Sequence, residues 1–175
     1  MPLPGNPRLE EIGNFLPRTR FVILHHVLPS DSDRSSHWDL LLQPPSLPGA
    51  PSQDNQSSLF AFELIASPCT WFSTSVQETD FATAMVHRLP NHRSLYLDYE
   101  GPVSENRGNV TKLATGTLQW LELSDTLLRF RMRLETMQVA EFQGVTPMEL
   151  LIEMTHIEPE SRAAWQLKRW KPLQC

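Results

Sequence analysis

The chain has 175 residues, 40% of them hydrophobic and 20% charged, with a formal net charge of −5 at neutral pH. That size and balance fit one soluble globular domain with a single core. The acidic excess excludes nonspecific coating of duplex nucleic acid, whose affinity comes from many lysine and arginine contacts to phosphate, but leaves room for gripping one phosphate end.

Cys69 and Cys175 are the only two cysteines and form no Cys-x-x-Cys pair, which argues against a disulfide framework or zinc knuckle and fits a reducing compartment. The first residues lack the basic start and apolar core of a signal peptide, and no run reaches the length of a bilayer span. A cytoplasmic protein without a membrane partner is expected.

Residues 1–14 contain three prolines, each with a fixed φ and no backbone donor, and are expected to form an extended, flexible arm. The apolar run 20–26 reads as a strand ending in His25 and His26, and the stretch His37, Trp38, Asp39 opens a second. A strand turns alternate side chains to one face, so His37 and Asp39 project together. If the two strands pair antiparallel, His26 joins them while His25 faces the other way. Two imidazoles and one carboxylate make an open metal site, with ligand types that suit manganese, iron or zinc.

Residues 44–58 are polar and proline-rich without a hydrophobic period, and are expected to form a mobile hairpin insertion. Alternation returns at 59–65. His92, Tyr96, Asp98, Tyr99 and Glu100 then crowd one short stretch ending in Gly101. Asp98 and Glu100 are read as holding the turn or pairing with basic neighbours.

Apolar and polar residues alternate again at 116–122, 128–134 and 165–168. Residues 148–154 follow a helix-like start at Thr146 and Pro147, yet also alternate with period two, and a strand is preferred. Arg129, Arg131 and Arg133, and later Arg162, Lys168, Arg169 and Lys171, are read as solvated faces; His87 and His156 are read as structural. Short strands throughout a chain of this length point to a mainly β fold, a small antiparallel β-barrel with few short helices, formed by one domain over 1–175. Closure removes exposed sheet edges.

Over residues 20–170 the pattern resembles the phosphoesterase domain found at the N-terminus of bacterial ligase D and in stand-alone relatives that process DNA 3' ends. The family segment Arg-Phe-Val-x-x-x-His stands here as residues 20–26, and His-Tyr-Asp-Phe-Arg as residues 37–41, with a wider spacing between the histidines. A second family segment, His-x-x-x-Tyr-x-Asp-Phe-Glu-Gly, matches residues 92–101 with Tyr99 for phenylalanine, and the following glycine-rich turn resembles residues 102–110.

The resemblance implies a compact β-barrel with manganese held by His26, His37 and Asp39, and a phosphate contacted by His92 and Tyr96. The implied activity, in DNA repair, is removal of a 3'-phosphate or terminal ribonucleoside from DNA or RNA-terminated DNA 3' ends, alongside separate polymerase or ligase proteins. In such a site the ion acts as a Lewis acid, His92 serves the leaving side, and Tyr96 orients the phosphate. The chain departs from the family at Leu41, where an arginine engages phosphate, and near Ala84, where a second arginine is due; Arg88, Arg93 and Arg107 are the candidates to compensate.

Two other readings stand beside this one. A non-catalytic module that binds DNA ends or a repair protein fits the loss of the arginine at position 41. A facial-triad iron oxygenase would use His37, Asp39 and His92, but Pro102 stands where members that bind 2-oxoglutarate carry an arginine.

Overall fold

The computed structural model describes residues 18–46, 58–69, 81–139, 148–157 and 164–170. The expected arm at 1–14, residues 47–57 of the expected insertion, and Arg162 and Lys171 of the basic clusters lie outside the described residues.

Among the described residues the seven alternating segments form strands and two further strands join them: β1 (Thr19–Val27), β2 (His37–Leu42), β3 (Leu59–Leu64), β4 (Phe81–His92), β5 (Gly101–Pro102), β6 (Asn109–Leu123), β7 (Leu127–Met137), β8 (Met148–His156) and β9 (Ala164–Trp170), of which β4 and β5 were not anticipated. One short 3-10 helix, Ser94–Leu97, interrupts them. All pairings are antiparallel in a single sheet of order β1-β2-β3-β4-β9-β8-β7-β6-β5. A further β1–β6 pairing closes the sheet into a ring. The mainly β, closed architecture expected from the sequence is therefore present, and residues 148–154 are strand. Among the described residues no helix is long and apolar enough to cross a membrane.

Period-two alternation divides the apolar residues between two clusters. One fills the ring with side chains from its eight strands, including Phe21, Leu40, Phe62, Trp120, Phe130 and Trp165. Trp120 is anchored there by donating its indole N–H to Thr19 Oγ1 and the Gln43 carbonyl. Gly116 lets β6 close onto its neighbours, since a Cβ there would lie 1.9 Å from the Arg133 carbonyl oxygen and 2.8 Å from Phe21. Arg169 corrects the expectation of a solvated basic face: it is 6% exposed, on the inward side of β9 with Trp165 and Leu167. Alternation alone does not reveal that a long basic side chain is enclosed.

The second cluster lies on the outer face of β1, β2 and β3, where Val22, Leu24, Leu41, Leu59 and Ala61 are covered by Leu97, Val103 and Val110. A bulge helps to build it. Ile23 pairs with Ala114 but Leu24 with Lys112, so Leu113 is the extra residue of β6. Leu113 packs on the inner cluster, and the shift brings Val110 to the outer face opposite His26.

Candidate metal centre

His26 and His37 stand opposite each other in the β1–β2 ladder, and Asp39 faces Leu24 two residues along. The alternation that sends Trp38, Leu40 and Leu42 towards the inner cluster turns His37 and Asp39 outward. His25 points the other way and stacks on Trp38, with ring centroids 5.3 Å apart.

One ligand atom from each of His26, His37 and Asp39 lies within 4.8 Å of the others. His26 Nδ1 is 3.5 Å from Asp39 Oδ2, and His37 Nε2 is 3.4 Å from Asp39 Oδ1. Both separations exceed the roughly 2.7–2.9 Å of a charge-assisted hydrogen bond. Asp39 Oδ1 is buried and accepts no hydrogen bond.

Backbone carbonyls fix which nitrogen of each ring faces the carboxylate. His26 Nε2 donates to the Arg107 carbonyl at 2.7 Å, and His37 Nδ1 donates to the Ser35 carbonyl at 3.0 Å. A carbonyl only accepts, so these nitrogens carry the protons. In the neutral rings His26 Nδ1 and His37 Nε2 then present lone pairs to a carboxylate, and only a cation between them relieves the repulsion. Either a metal ion or a proton on an imidazole serves. A ring N–H tied to a backbone carbonyl is the usual second contact of a ligating histidine.

The electrostatics agree. Burial pushes the Asp39 carboxyl up, but the attraction of His26 and His37, with a smaller effect from His92, outweighs it and holds the carboxyl at about 2. Asp39 in turn raises the pKa of His37 against the opposing effect of burial. Nitrogen and oxygen donors around one buried carboxylate with an unused oxygen fit a divalent transition ion.

His92 and Tyr96 meet the same place from the end of β4 and the 3-10 helix. A cleft of about 520 Å³ is lined by His26, Asp39, His92, Arg93, Tyr96 and Arg107, among others. His92 Nδ1 donates to the Pro90 carbonyl at 2.9 Å, which leaves Nε2 as the ring's other functional atom. The Tyr96 ring centroid is 5.8 Å from that of His92, and the Arg93 guanidinium lies 5.8 Å from the Tyr96 centroid. A second cleft of about 530 Å³ shares His26, Asp39, His92 and Arg107 and extends past His37 to Arg34.

Four of the five site residues expected from the sequence therefore line one cleft, and His37 adjoins it beside Asp39. The close-set ligand group contains His26 and not His92, unlike the triad of the oxygenase reading. Asp98 forms a two-pronged ion pair with Arg20, and Glu100 accepts the Lys112 backbone N–H at 2.6 Å, as expected of structural carboxylates.

The three candidate compensating arginines separate. Arg88 lies over Phe60 and Phe62, donates to the Ala61 and Leu89 carbonyls and to Asn91, and lines a different cleft beside Trp165. Arg93 and Arg107 line the cleft that His26 and Asp39 share. Leu41 is 0% exposed within the outer cluster, and Ala84 packs on the inner one. The carbonyls of Ser35, Pro90 and Arg107, which orient the three imidazoles, were invisible in the sequence because every residue has one. Gly108, just beyond Arg107, is the one residue-level signal of a close backbone approach. No protein-family profile matches this chain, and no curated protein matches it.

Proposed function

We propose that the chain is a divalent-metal phosphoesterase acting on nucleic-acid 3' ends in DNA repair, removing a 3'-phosphate or a terminal ribonucleoside. The observation that carries this reading is the placing of His26, His37 and Asp39 within 4.8 Å of one another beside a cleft that also holds His92, Tyr96 and Arg93. His26, His37 and Asp39 would hold the ion, with manganese the best match to a donor set that becomes oxygen-rich once phosphate binds. Bound there, the ion would supply Lewis-acid polarisation of a nonbridging phosphate oxygen and lower the pKa of a water.

The chain's own residues do the rest. The Asp39 carboxylate keeps the pocket negative enough to retain a cation, while the Ser35 and Arg107 carbonyls hold the imidazoles in the ligating orientation. His92 keeps its Nδ1 proton on Pro90, so Nε2, when protonated, gives its proton to the leaving oxygen. The Tyr96 hydroxyl donates to a phosphate oxygen, and the Arg93 guanidinium places positive charge beside it.

The burial of Leu41 favours a second reading, a module that binds DNA 3' ends without turning them over, because no arginine from that strand position enters the cleft. A labelled primer ending in a 3'-phosphate or a ribonucleotide, incubated with the full chain and manganese, separates the two. Release of phosphate or nucleoside that disappears in His37→Ala supports the phosphoesterase. Retention of the intact primer supports the binding module, and oxygen uptake stimulated by 2-oxoglutarate would reject both.

A further inference from the structure

We propose that the β5–β6 loop, residues 103–108, is a positioning element that locks the His26 ring for metal binding, with Gly108 and Arg107 setting its place. This inference rests on the metal reading above. The loop reaches His26 with the Arg107 carbonyl oxygen, 2.7 Å from His26 Nε2. That bond keeps the Nε2 proton on the outer side of the ring and stops the ring from turning about its own axis. Nδ1 therefore faces Asp39.

Three contacts fix where that carbonyl stands. Gly108 has φ of +90°, and a Cβ built on it would lie 2.1 Å from the Val27 carbonyl oxygen and 3.0 Å from Leu28 Cα. The loop backbone thus rests on the end of β1, one residue beyond His26, more closely than any other residue type permits. The Val103 N–H donates to the Gly108 carbonyl at 2.8 Å and ties the base of the loop. Arg107 folds its guanidinium back over the loop, Nε donating to the Ser104 carbonyl at 2.9 Å and Nη2 to Ser104 Oγ at 3.0 Å.

The loop also holds Glu105 and Asn106 in the left-handed region, at φ of 63° and 53°. Asparagine tolerates that conformation, but for Glu105 it is uncommon and costly, and such positions gather at functional sites. Here the imposed shape delivers a carbonyl to a candidate ligand. Arg107 consequently acts through its backbone and its clasp on Ser104, not as a catalytic residue.

The test uses the full chain labelled with 15N-histidine, free of metal, together with a calorimetric titration by manganese. The wild type is expected to show a slowly exchanging His26 Nε2–H signal. In Gly108→Ala that signal should be lost while the His37 Nδ1–H signal stays, and manganese affinity should fall by about 10–100-fold, the usual effect of removing an outer contact to a ligating histidine. Arg107→Met, which breaks the clasp and keeps the backbone, should move both readouts in the same direction, and it decides the matter if Gly108→Ala does not fold.

A protected His26 Nε2–H and unchanged manganese affinity in the variants would overturn the proposal. A wild type that binds no manganese would defeat the metal reading instead, while the histidine signals of the metal-free variants would still decide the role of the loop.

Discussion

The imidazoles of His26 and His37 meet edge to face across the β1–β2 ladder, with ring centroids 5.0 Å apart and planes at 61°. Each ring directs one nitrogen at a different oxygen of Asp39 and the other at a backbone carbonyl. Substitution at this carboxylate therefore separates binding from folding. Asp39→Asn keeps the shape and offers amide hydrogens to the facing nitrogens. It is expected to lower manganese affinity by more than about 100-fold, beyond the effect of losing an outer-sphere contact, while the protein still folds, with a melting temperature lower by roughly 4–8 °C. Calorimetry and thermal melts check the two halves.

Acidity should act on metal binding through His37. Its pKa lies above the ordinary histidine value chiefly because Asp39 is its neighbour, so protons compete with metal at higher pH than for a free imidazole. Manganese affinity should begin to fall at a higher pH than an unperturbed imidazole ligand would give, in titrations run at a series of pH values.

In the metal-free protein Asp39 gives the opposite linkage at low pH. Its folded pKa, about 2, is below the ordinary carboxylate value, so the stability it contributes is present above that ordinary value and lost as pH falls towards 2. The contribution is on the order of 2 kcal/mol. Urea titrations of wild type and Asp39→Asn should converge as the pH approaches 2.

Leu41→Arg is expected to destabilise the fold by roughly 3 kcal/mol, because position 41 is fully enclosed among the apolar side chains of Val22, Leu24, Leu59 and Ala61, where a guanidinium loses its water. Leu41→Met, close in volume, should cost less than about 1.5 kcal/mol. Equilibrium unfolding of the pair tests whether this position is packing and not part of the cleft wall.

Tyr96→Phe retains the ring that packs on the outer cluster and removes only the hydroxyl. Turnover of a 3'-phosphate primer should fall by about 10–100-fold, the worth of a hydrogen bond to a charged group, while manganese affinity and stability stay level. A parallel loss of metal binding would place Tyr96 in a different role.

Much of the site was legible in the sequence because a strand's period is two. The spacing of His37 and Asp39 put both on one face, and the same rule set His26 against His25 once the strands paired. The alternating segments likewise forecast seven of the nine described strands and the closed sheet, but not β4 or the short β5. Sequence could not say which face of the sheet carries the ligands, since alternation looks the same from inside and outside the ring. Nor could it separate Arg88, spent on Phe60, Phe62 and nearby carbonyls, from Arg93 and Arg107, which line the cleft.

Those matters belong to tertiary structure, because they depend on atoms that meet only when distant segments pack. The Leu113 bulge moves Val110 beneath the site, Leu97 and Val103 seal Leu41 from the cleft, and the Arg107 carbonyl arrives at His26 from 81 positions away. Side-chain chemistry and period-two geometry are local and can be read along the chain. The aim of a ring nitrogen is set by a backbone oxygen that every residue possesses, and folding alone chooses which one.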